Sequence, residues 1–413
     1  MVQRDKEIEG GLMPEDLLFA DLKVIDMGSW IAGPVASTIL SDFGAQVIKV
    51  EAPVAGDGYR NFASLPSSPQ SDSNYTWQMD NRNKRSLSLN LKTAKGQEIL
   101  RTLVAQSDVY VTNLPHPMRR AWGLTYEDLQ QVNPSMVYAS LTAYGENGPE
   151  RDREGFDLVA YWARSGLMEL VRAPGAAPAP ALPGMGDHPT AVSLYASIVT
   201  ALLRRERTGA GAHVHTSLLA NGMWSASCIA QGVFANANFD AYYFLRDHLY
   251  TRLLYEAADG RWVQFSMVRT DEEVDLMLTA MGRPDLLADE RFMTAEARVM
   301  HGAELADEIT QAIKTQPSGY WMQTFTEVGV PAALVGKIEE LPTDPQVIAN
   351  TMTVPPGPDA SLATVIKHPL NIEGMATRGM TSAPELGQQT YEILGELGYD
   401  KQQIAELQSG GII

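Results

Sequence analysis

The first half of this chain alternates short β-branched runs with segments of helical periodicity, and this pattern restricts the fold more than any other feature. Apolar, β-branched runs predict four strands: Leu22–Asp26, Gln46–Glu51, Asp108–Thr112 and Met136–Thr142. Between them, helical spacing predicts helices over Gly33–Asp42 and Thr93–Gln106. Strands that alternate with crossover helices are typical of a parallel sheet covered by helices. The chain is therefore predicted to fold as an α/β protein.

The second half departs from this alternation. An apolar helix is predicted over Phe156–Val171, and the proline-rich stretch Ala173–Pro183 then predicts a surface loop, because proline fits neither a helix interior nor a central strand. A long apolar helix follows the loop, and Gly260–Ser266 predicts a strand that opens a second, smaller domain. The tail predicts two helices, Pro384–Leu397 and Asp400–Gln408.

Composition excludes several classes of protein. The 413 residues include 50 acidic and 32 basic side chains, a formal net charge of −18, which disfavours nucleic acid as a partner. Apolar stretches such as Ala191–Leu203 fall short of the roughly 20 residues that span a bilayer, and Met1–Gly11 lacks a signal-peptide core. The single cysteine, Cys228, excludes an internal disulfide and is predicted to be a small buried side chain. We expect a cytoplasmic protein that does not enter a membrane.

Two common cofactor sites are disfavoured. The segment Met27–Pro34 lacks the G-x-G-x-x-G pattern of a dinucleotide site, and Trp30 is bulky where a pyrophosphate needs bare backbone. Glu51, at the end of the second strand, is therefore interpreted as a structural acid. His213 and His215 share one face of a predicted strand but have no nearby third ligand, so a packing role is favoured over a metal site.

The segment with the clearest chemical potential precedes the long apolar helix. Gly184 and Gly186 permit close backbone approach, and Asp187 stands at the predicted helix start. Spacing alone favours an N-cap role for Asp187, with Pro189 in the first turn. A catalytic role is compatible with capping, since a helix N-terminus and glycine amides orient a carboxylate and stabilise a nearby oxyanion.

Short motifs are spread over nearly the whole length: Leu22–Gly28, Gly33-Pro34, Asp42–Pro53, Asn83–Lys92, Tyr144–Pro149, Arg205–Gly211, Leu386-Gly387 and Leu397–Tyr399. In this order and spacing they resemble the class III CoA-transferase family (CaiB/BaiF type), which includes formyl-CoA, carnitine and 2-hydroxyacid CoA-transferases. The resemblance implies a Rossmann-like large domain built from both chain ends, 1–225 and 345–413. It also implies a smaller α/β domain over 226–344 and an interlocked homodimer.

The resemblance also implies a reaction. Asp187 matches the family's nucleophilic aspartate, which attacks an acyl-CoA and becomes an aspartyl-CoA thioester before an acceptor acid takes the CoA. The implied substrates are an acyl-CoA and a carboxylic acid, with no tightly bound cofactor and no metal. Amides at Gly184 and Gly186 would stabilise the tetrahedral oxyanion.

The family's CoA-contacting positions match Leu89, Lys92, Asn113 and Tyr144, and Arg120 is a candidate substitute for an arginine that Ala121 replaces. Two basic groups are candidate phosphate patches or, alternatively, solvated surface: Arg82, Lys84, Arg85 and Lys92, and the pair Arg119-Arg120. Either group would make the electrostatic potential positive in its own neighbourhood, because dissolved salt screens the more distant negative charges of the protein.

Alternatives remain open. Related α-methylacyl-CoA racemases use a histidine in a Gly-His-Asp string, but this chain has Gly155-Phe156-Asp157, and phenylalanine accepts no proton. A CoA-binding protein without catalytic activity is the third hypothesis. Within the transferases, Gly155–Gly166 and Gly184–Pro189 are similar to the branch that handles aromatic or branched 2-hydroxyacids.

Aromatic residues near these motifs have two interpretations. Trp30, Tyr161 and Trp162 either line an apolar acyl pocket or belong to the core. His188 either orients the acceptor carboxylate or is a first-turn residue without such a role.

Overall fold

The computed structural model describes residues 17–173, 175–266, 268–355, 357 and 362–413, with the backbone alone at 246–248. Met1–Gly11 lies outside the described residues. The strands are Lys23–Met27 (β1), Gln46–Glu51 (β2), Lys84–Ser88 (β3), Val109–Thr112 (β4), Val137–Thr142 (β5), Ala212–Ser217 (β6), Leu254–Glu256 (β7), Trp262–Phe265 (β8), Ala332–Leu334 (β9), Thr353–Val354 (β10) and Val365–Ile366 (β11).

The α-helices are Ala32–Asp42 (α1), Tyr75–Asn81 (α2), Ala94–Val104 (α3), His116–Trp122 (α4), Tyr126–Leu129 (α5), Leu167–Leu170 (α6), Asp187–Thr208 (α7), Leu218–Ser225 (α8), Ser227–Phe234 (α9), Asp240–His248 (α10), Asp271–Ala280 (α11), Ala295–Met300 (α12), Gly302–Ile313 (α13), Ser318–Val328 (α14), Pro345–Ala349 (α15), Thr390–Glu396 (α16) and Lys401–Ser409 (α17). Shorter helical segments are the 3₁₀ turns Gly58–Ser64, Tyr250–Arg252, Pro284–Ala288 and Ile338–Thr343 and the π-helical turn Leu158–Ala163. In the described part of the chain, every helix is too short or too polar to cross a membrane.

Six of the described strands form a parallel sheet in the order β3-β2-β1-β4-β5-β6. In the register of this sheet, Ile25 of β1 lies opposite Ile48 of β2 on one side and Tyr110 of β4 on the other. The order 3-2-1-4-5-6 is that of the Rossmann sheet, in which winding reverses between the first and fourth strands. The predicted α/β class is confirmed, and a ligand site is expected where the chain leaves β1 and β4.

Most of the sheet is buried on both faces, which explains the apolar, β-branched runs within β1, β2, β4 and β5. Val24 and its neighbours on one face pack against α1 and α7, and all eleven residues of α1 are buried. Ile25 and Tyr110 on the opposite face pack against α3 and the C-terminal helices α16 and α17. Both ends of the chain therefore contribute to one core.

The chain divides into two compact units. One contains the residues up to Arg172, Ala177–Ala230 and those from Asn350 onward, and the other contains Ala173–Ala176 and Gln231–Ala349. The second unit has its own core, around the antiparallel sheet β7-β8-β9 and helices α11, α13 and α14. The division at 226 and 344 that the resemblance implied lies a few residues before these boundaries.

Two predicted helices differ from the structure. Phe156–Val171 is broken into the π-helical turn and α6, because Gly166 adopts a left-handed φ of +90° between them. The predicted helix over Pro384–Leu397 begins only at Thr390. The Pro384 carbonyl instead accepts hydrogen bonds from Arg60 and Trp77, contacts distant in sequence that override local helical preference.

Two surface predictions are wrong. Cys228 is exposed rather than buried. The predicted basic patch does not form, because three of its members are engaged in ion pairs: Arg82 with Asp42, Lys84 with Asp26, and Arg85 with Glu392 and Glu396. All four basic residues of this patch are among the described residues, and Lys92 is the one that is exposed to solvent.

A buried ion pair joins β3 to β1. Lys84 Nζ lies 2.8 Å from Asp26 Oδ2, both side chains are 0% exposed, and Ser37 Oγ donates to the same oxygen at 2.7 Å. Burial alone would raise the pKa of Asp26, but Lys84 and Lys49 hold it at about 2. Lys84 also donates to the carbonyl of Pro34, which ties the start of α1 to the sheet.

Candidate active site

A cavity of about 170 Å³ lies at the winding reversal of the parallel sheet. Its lining comes from the segments that follow three strands: Ser29–Ala32 after β1, Asn113–His116 after β4, and Leu141–Ala143 at the end of β5. Phe156 and Asp187 also line the cavity. The sheet topology thus brings Asn113 and Asp187, two predicted site residues, to the same cavity.

The loop after β1 is fixed from both sides. Asn113 accepts a hydrogen bond from Ser29 N at 2.9 Å and donates to Ser29 O at 2.7 Å. Trp30 has a left-handed φ of +63°, which is unfavourable for a bulky residue, and its N–H donates to Asp57 Oδ1 at 3.0 Å. The fully buried Lys49 binds both Asp57 and the carbonyl of Gly28. These bonds hold the Trp30 indole at the cavity.

Asp187 is the first residue of α7, and the turn before it requires its two glycines. Gly184 has a φ of +84°, and a Cβ on Gly186 would stand 2.5 Å from Cγ of Tyr161. The predicted N-cap role of Asp187 is wrong, because Gly186 occupies the cap position. Within the described residues the Asp187 carboxylate makes no hydrogen bond, so it is available to a substrate.

The surroundings of Asp187 weaken its acidity. Burial, followed by the negative charges of Asp157 and Asp80, raises the pKa of Asp187 to about 7, although His188 acts in the opposite direction. Asp157 Oδ2 accepts a hydrogen bond from Gly186 N at 3.1 Å. The resemblance suggested that the Gly186 N–H would stabilise an oxyanion in the cavity. In this structure the Gly186 N–H is instead engaged by Asp157.

His188 does not face the cavity. Its Nδ1 lies 3.0 Å from Gly184 O and its Nε2 lies 3.2 Å from Asp80 Oδ1. Tyr59 donates to the other Asp80 oxygen at 2.7 Å. Both ring nitrogens are therefore engaged within the protein, and neither is free to orient an acceptor carboxylate.

A second cavity, of about 180 Å³, adjoins the first and shares Ser29 and Leu114 with it. It is lined by the apolar side chains of Leu89, Leu91 and Trp122, with Lys92 exposed near its edge. Two further predicted CoA-contacting residues, Leu89 and Lys92, thus lie next to the Asp187 cavity. Trp122 was not predicted, since nothing in the sequence distinguishes it from other helix residues.

Glu51 also lines the second cavity, but its carboxylate is engaged in the protein. Arg60 donates to both of its oxygens and Ser86 Oγ donates to one of them. The structural interpretation of Glu51 fits these contacts.

Arg120 and Tyr144 are not among the lining residues of these two cavities. Arg120 pairs with Asp152 and lines a third cavity, of about 310 Å³, which shares His116 and Arg151 with the Asp187 cavity. Tyr144 lies beneath the Arg153 guanidinium, 5.2 Å from it, and packs on the core. In the described residues no three histidine, cysteine or acidic side chains are grouped to hold a metal ion.

Of the three aromatic residues considered for an acyl pocket, Trp30 lines the Asp187 cavity. Tyr161 bonds to Ser225 and Trp162 donates to the carbonyl of Ala179, so both support the surrounding structure. Phe156, which the sequence suggested only as a replacement for histidine, packs edge-on against Trp30 at 5.4 Å between ring centroids. The cavity therefore has an aromatic wall, formed by Trp30 and Phe156, and is also lined by Asp187.

Comparisons with known proteins agree with this geometry. Residues 19–390 match the family model described as CoA-transferase family III. The cinnamoyl-CoA:phenyllactate CoA-transferase of Clostridium sporogenes is 33% identical, covering 95% of this chain and 96% of that protein. The (R)-2-hydroxy-4-methylpentanoate CoA-transferase of Clostridioides difficile is 29% identical, covering 96% of this chain and all of that protein.

A solved structure is also similar. The crystal structure of a CAIB/BAIF family protein from Brucella suis superposes with a TM-score of 0.79 at 26% identity, covering 92% of this chain and 100% of that chain. The family match extends over both compact units and includes each of the motifs that carried the resemblance, apart from the last. The chain belongs to CoA-transferase family III.

Proposed function

We propose that this protein transfers CoA from an acyl-CoA to a carboxylic acid through an aspartyl-CoA thioester on Asp187. The observation that carries the proposal is the position of Asp187, which lines a cavity next to the one that contains Leu89 and Lys92. Its carboxylate makes no hydrogen bond to the residues that the structure describes. Membership of the family supports CoA thioesters as substrates.

The reaction starts at the carboxylate. An Asp187 oxygen attacks the thioester carbonyl carbon, the C–S bond breaks, and the products are a mixed anhydride and CoA thiolate. The thiolate then attacks the side-chain carbonyl carbon of Asp187 and expels the donor acid as its carboxylate. The acceptor carboxylate repeats both steps in reverse and leaves as acyl-CoA, so Asp187 is regenerated without net gain or loss of a proton.

The environment of Asp187 suits this exchange. Asp187 is half-buried, which limits the water that would stabilise the carboxylate and hydrolyse the anhydride. The N-terminus of α7 adds partial positive charge where the tetrahedral oxyanion develops. Lys92, exposed at the second cavity, supplies a local cation for the phosphates of CoA despite the net charge of −18.

The aromatic wall supports an aromatic or branched 2-hydroxy acid as the acid that carries or accepts CoA. Trp30 and Phe156 form an edge-to-face pair that borders the cavity next to Asp187. Two similar proteins are named for phenyllactate and for 2-hydroxy-4-methylpentanoate, acids with an aromatic ring and a branched chain.

We also propose that the protein is a cytoplasmic, interlocked homodimer.

Removing the Phe156 ring tests the acyl preference. In Phe156→Ala, kcat/KM for an aromatic or branched acyl-CoA is expected to fall about tenfold, because the ring edge that packs on the acyl group is lost. Acetyl-CoA, which cannot reach the ring, is expected to change little. Tyr320→Ala, an exposed aromatic in the second unit, is the matched control. An equal loss for both donors would contradict this assignment.

A donor and acceptor panel tests the proposed function itself. The protein is incubated with each acyl-CoA and each carboxylic acid, and mass spectrometry follows the appearance of the acceptor's CoA thioester. CoA exchange that requires the acceptor acid is the expected result. Wash-in of deuterium at the α-carbon without an acceptor would favour a racemase, and CoA binding without any turnover would favour a protein that has lost catalysis.

A further inference from the structure

His188 has an arrangement that requires a positive charge. Its Nδ1 lies 3.0 Å from the carbonyl oxygen of Gly184 and its Nε2 lies 3.2 Å from a carboxylate oxygen of Asp80. Both partners are acceptors, and a neutral imidazole has only one N–H to donate. Both hydrogen bonds therefore form only when His188 is an imidazolium.

Asp80 is built to hold that imidazolium. Its side chain is 2% exposed, its second oxygen accepts from Tyr59 Oη at 2.7 Å, and its backbone carbonyl accepts from Thr38 Oγ1 at 2.6 Å. Burial alone would lower the pKa of His188, but the hydrogen bond and charge of Asp80 raise it to about 9. The ring cannot turn toward a substrate without losing both hydrogen bonds.

The His188 imidazolium counteracts the negative charges that surround Asp187. Asp157 lies at the start of the π-helical turn and Asp80 in α2, and both oppose ionisation of Asp187, as does burial. His188, adjacent in α7, is the group that favours ionisation among the described residues that shift this carboxyl. His188 makes its hydrogen bonds to Asp80 and Gly184, so its charge acts on Asp187 without covering the carboxylate.

We infer that His188 is a positioning residue, held as an imidazolium by Asp80 and Gly184, whose charge favours the ionised, nucleophilic form of Asp187 near neutral pH. The inference rests on the proposed function, in which Asp187 attacks as a carboxylate. His188 transfers no proton in this role and does not touch the substrate.

The pH dependence of Asp187 acylation tests the inference. In the unmodified protein, kcat/KM is expected to rise with pH through about pH 7, because protonated Asp187 is not a nucleophile. In His188→Gln the same rise is expected about 1 to 3 pH units higher, because the neighbouring cation is lost. Activity at pH 7 should then fall at least about fivefold, while the plateau at high pH is retained.

A matched variant separates this effect from a general one. His301→Gln removes an exposed histidine of the second unit that pairs with Glu304, and its pH profile is expected to coincide with that of the unmodified protein. An unchanged profile in His188→Gln, or a loss that is equal at every pH, would overturn the inference. Absence of any transfer in the unmodified protein would instead overturn the proposed function.

Nitrogen-15 NMR of the histidine side chains gives a readout that does not need activity or a histidine replacement. The unmodified protein without substrate is expected to show both His188 nitrogens protonated at pH 7.5. In Asp80→Asn the same ring is expected to lose one proton near the ordinary histidine pKa. A neutral His188 at pH 7.5 in the unmodified protein would overturn the inference even if His188→Gln fails to fold.

Discussion

Replacing Asp187 by asparagine is expected to lower CoA transfer by at least about a thousandfold, because the amide cannot serve as the covalent carrier of CoA. Asparagine is nearly the same size as aspartate, and the glycine turn before α7 does not depend on the charge. CoA affinity, measured by calorimetry, is therefore expected to be retained. Initial rates of acceptor-CoA formation provide the measurement.

The control for this variant is Asp285→Asn, which removes an exposed carboxylate of the second unit that pairs with Arg283. Its activity is expected to match that of the unmodified protein. Turnover by Asp187→Asn at a rate close to that of the unmodified protein would mean that another group carries CoA.

The second large effect concerns stability rather than activity. Lys84→Met is expected to reduce the free energy of unfolding by about 3–5 kcal/mol, because it leaves the fully buried Asp26 carboxylate without its ion-pair partner. The double variant Asp26→Leu with Lys84→Met is expected to recover part of the loss, since no charge is then buried alone. Urea unfolding followed by fluorescence measures both.

Arg85→Met is the matched control on the same strand. Its ion pairs with Glu392 and Glu396 are partly exposed to solvent, so it is expected to cost less than about 1 kcal/mol. A loss in Lys84→Met no greater than that in Arg85→Met would show that the Asp26–Lys84 pair does not hold the sheet together.

The same pair predicts how stability varies with acidity. The folded-state pKa of Asp26, about 2, lies below its ordinary value of 3.8. Its contribution to stability is therefore present above about pH 4 and is lost as the pH falls toward 2.

Local patterns were sufficient to predict the sheet where the strands are apolar throughout. The strand at 109–112 is buried throughout and its sequence is apolar up to Thr112, a pattern that is easily detected. The strand at 46–51 was predicted from Val47, Ile48 and Val50, although it also contains polar residues. Strand β3, with the sequence Lys-Arg-Ser-Leu-Ser, was missed. Its lysine is charged but buried, and the partner that makes this possible, Asp26, lies 58 residues away.

The candidate site was predictable only in part, for a similar reason. Asp187 was identified through the family resemblance, since its spacing alone indicated an N-cap. The structure adds Asp80, which contacts His188 across 108 residues of sequence, and Phe156, which meets Trp30 from another part of the chain. Such contacts depend on how the sheet and its connections pack, and no local motif encodes them.

Trapping the covalent intermediate tests the central claim most directly. The protein is mixed with an acyl-CoA that it turns over and then quenched with hydroxylamine, which converts an activated aspartyl group to a hydroxamate. Peptide mass spectrometry is expected to find the hydroxamate on Asp187, and to find none when acyl-CoA is omitted. An enzyme that turns over acyl-CoA while Asp187 remains unmodified would contradict the account.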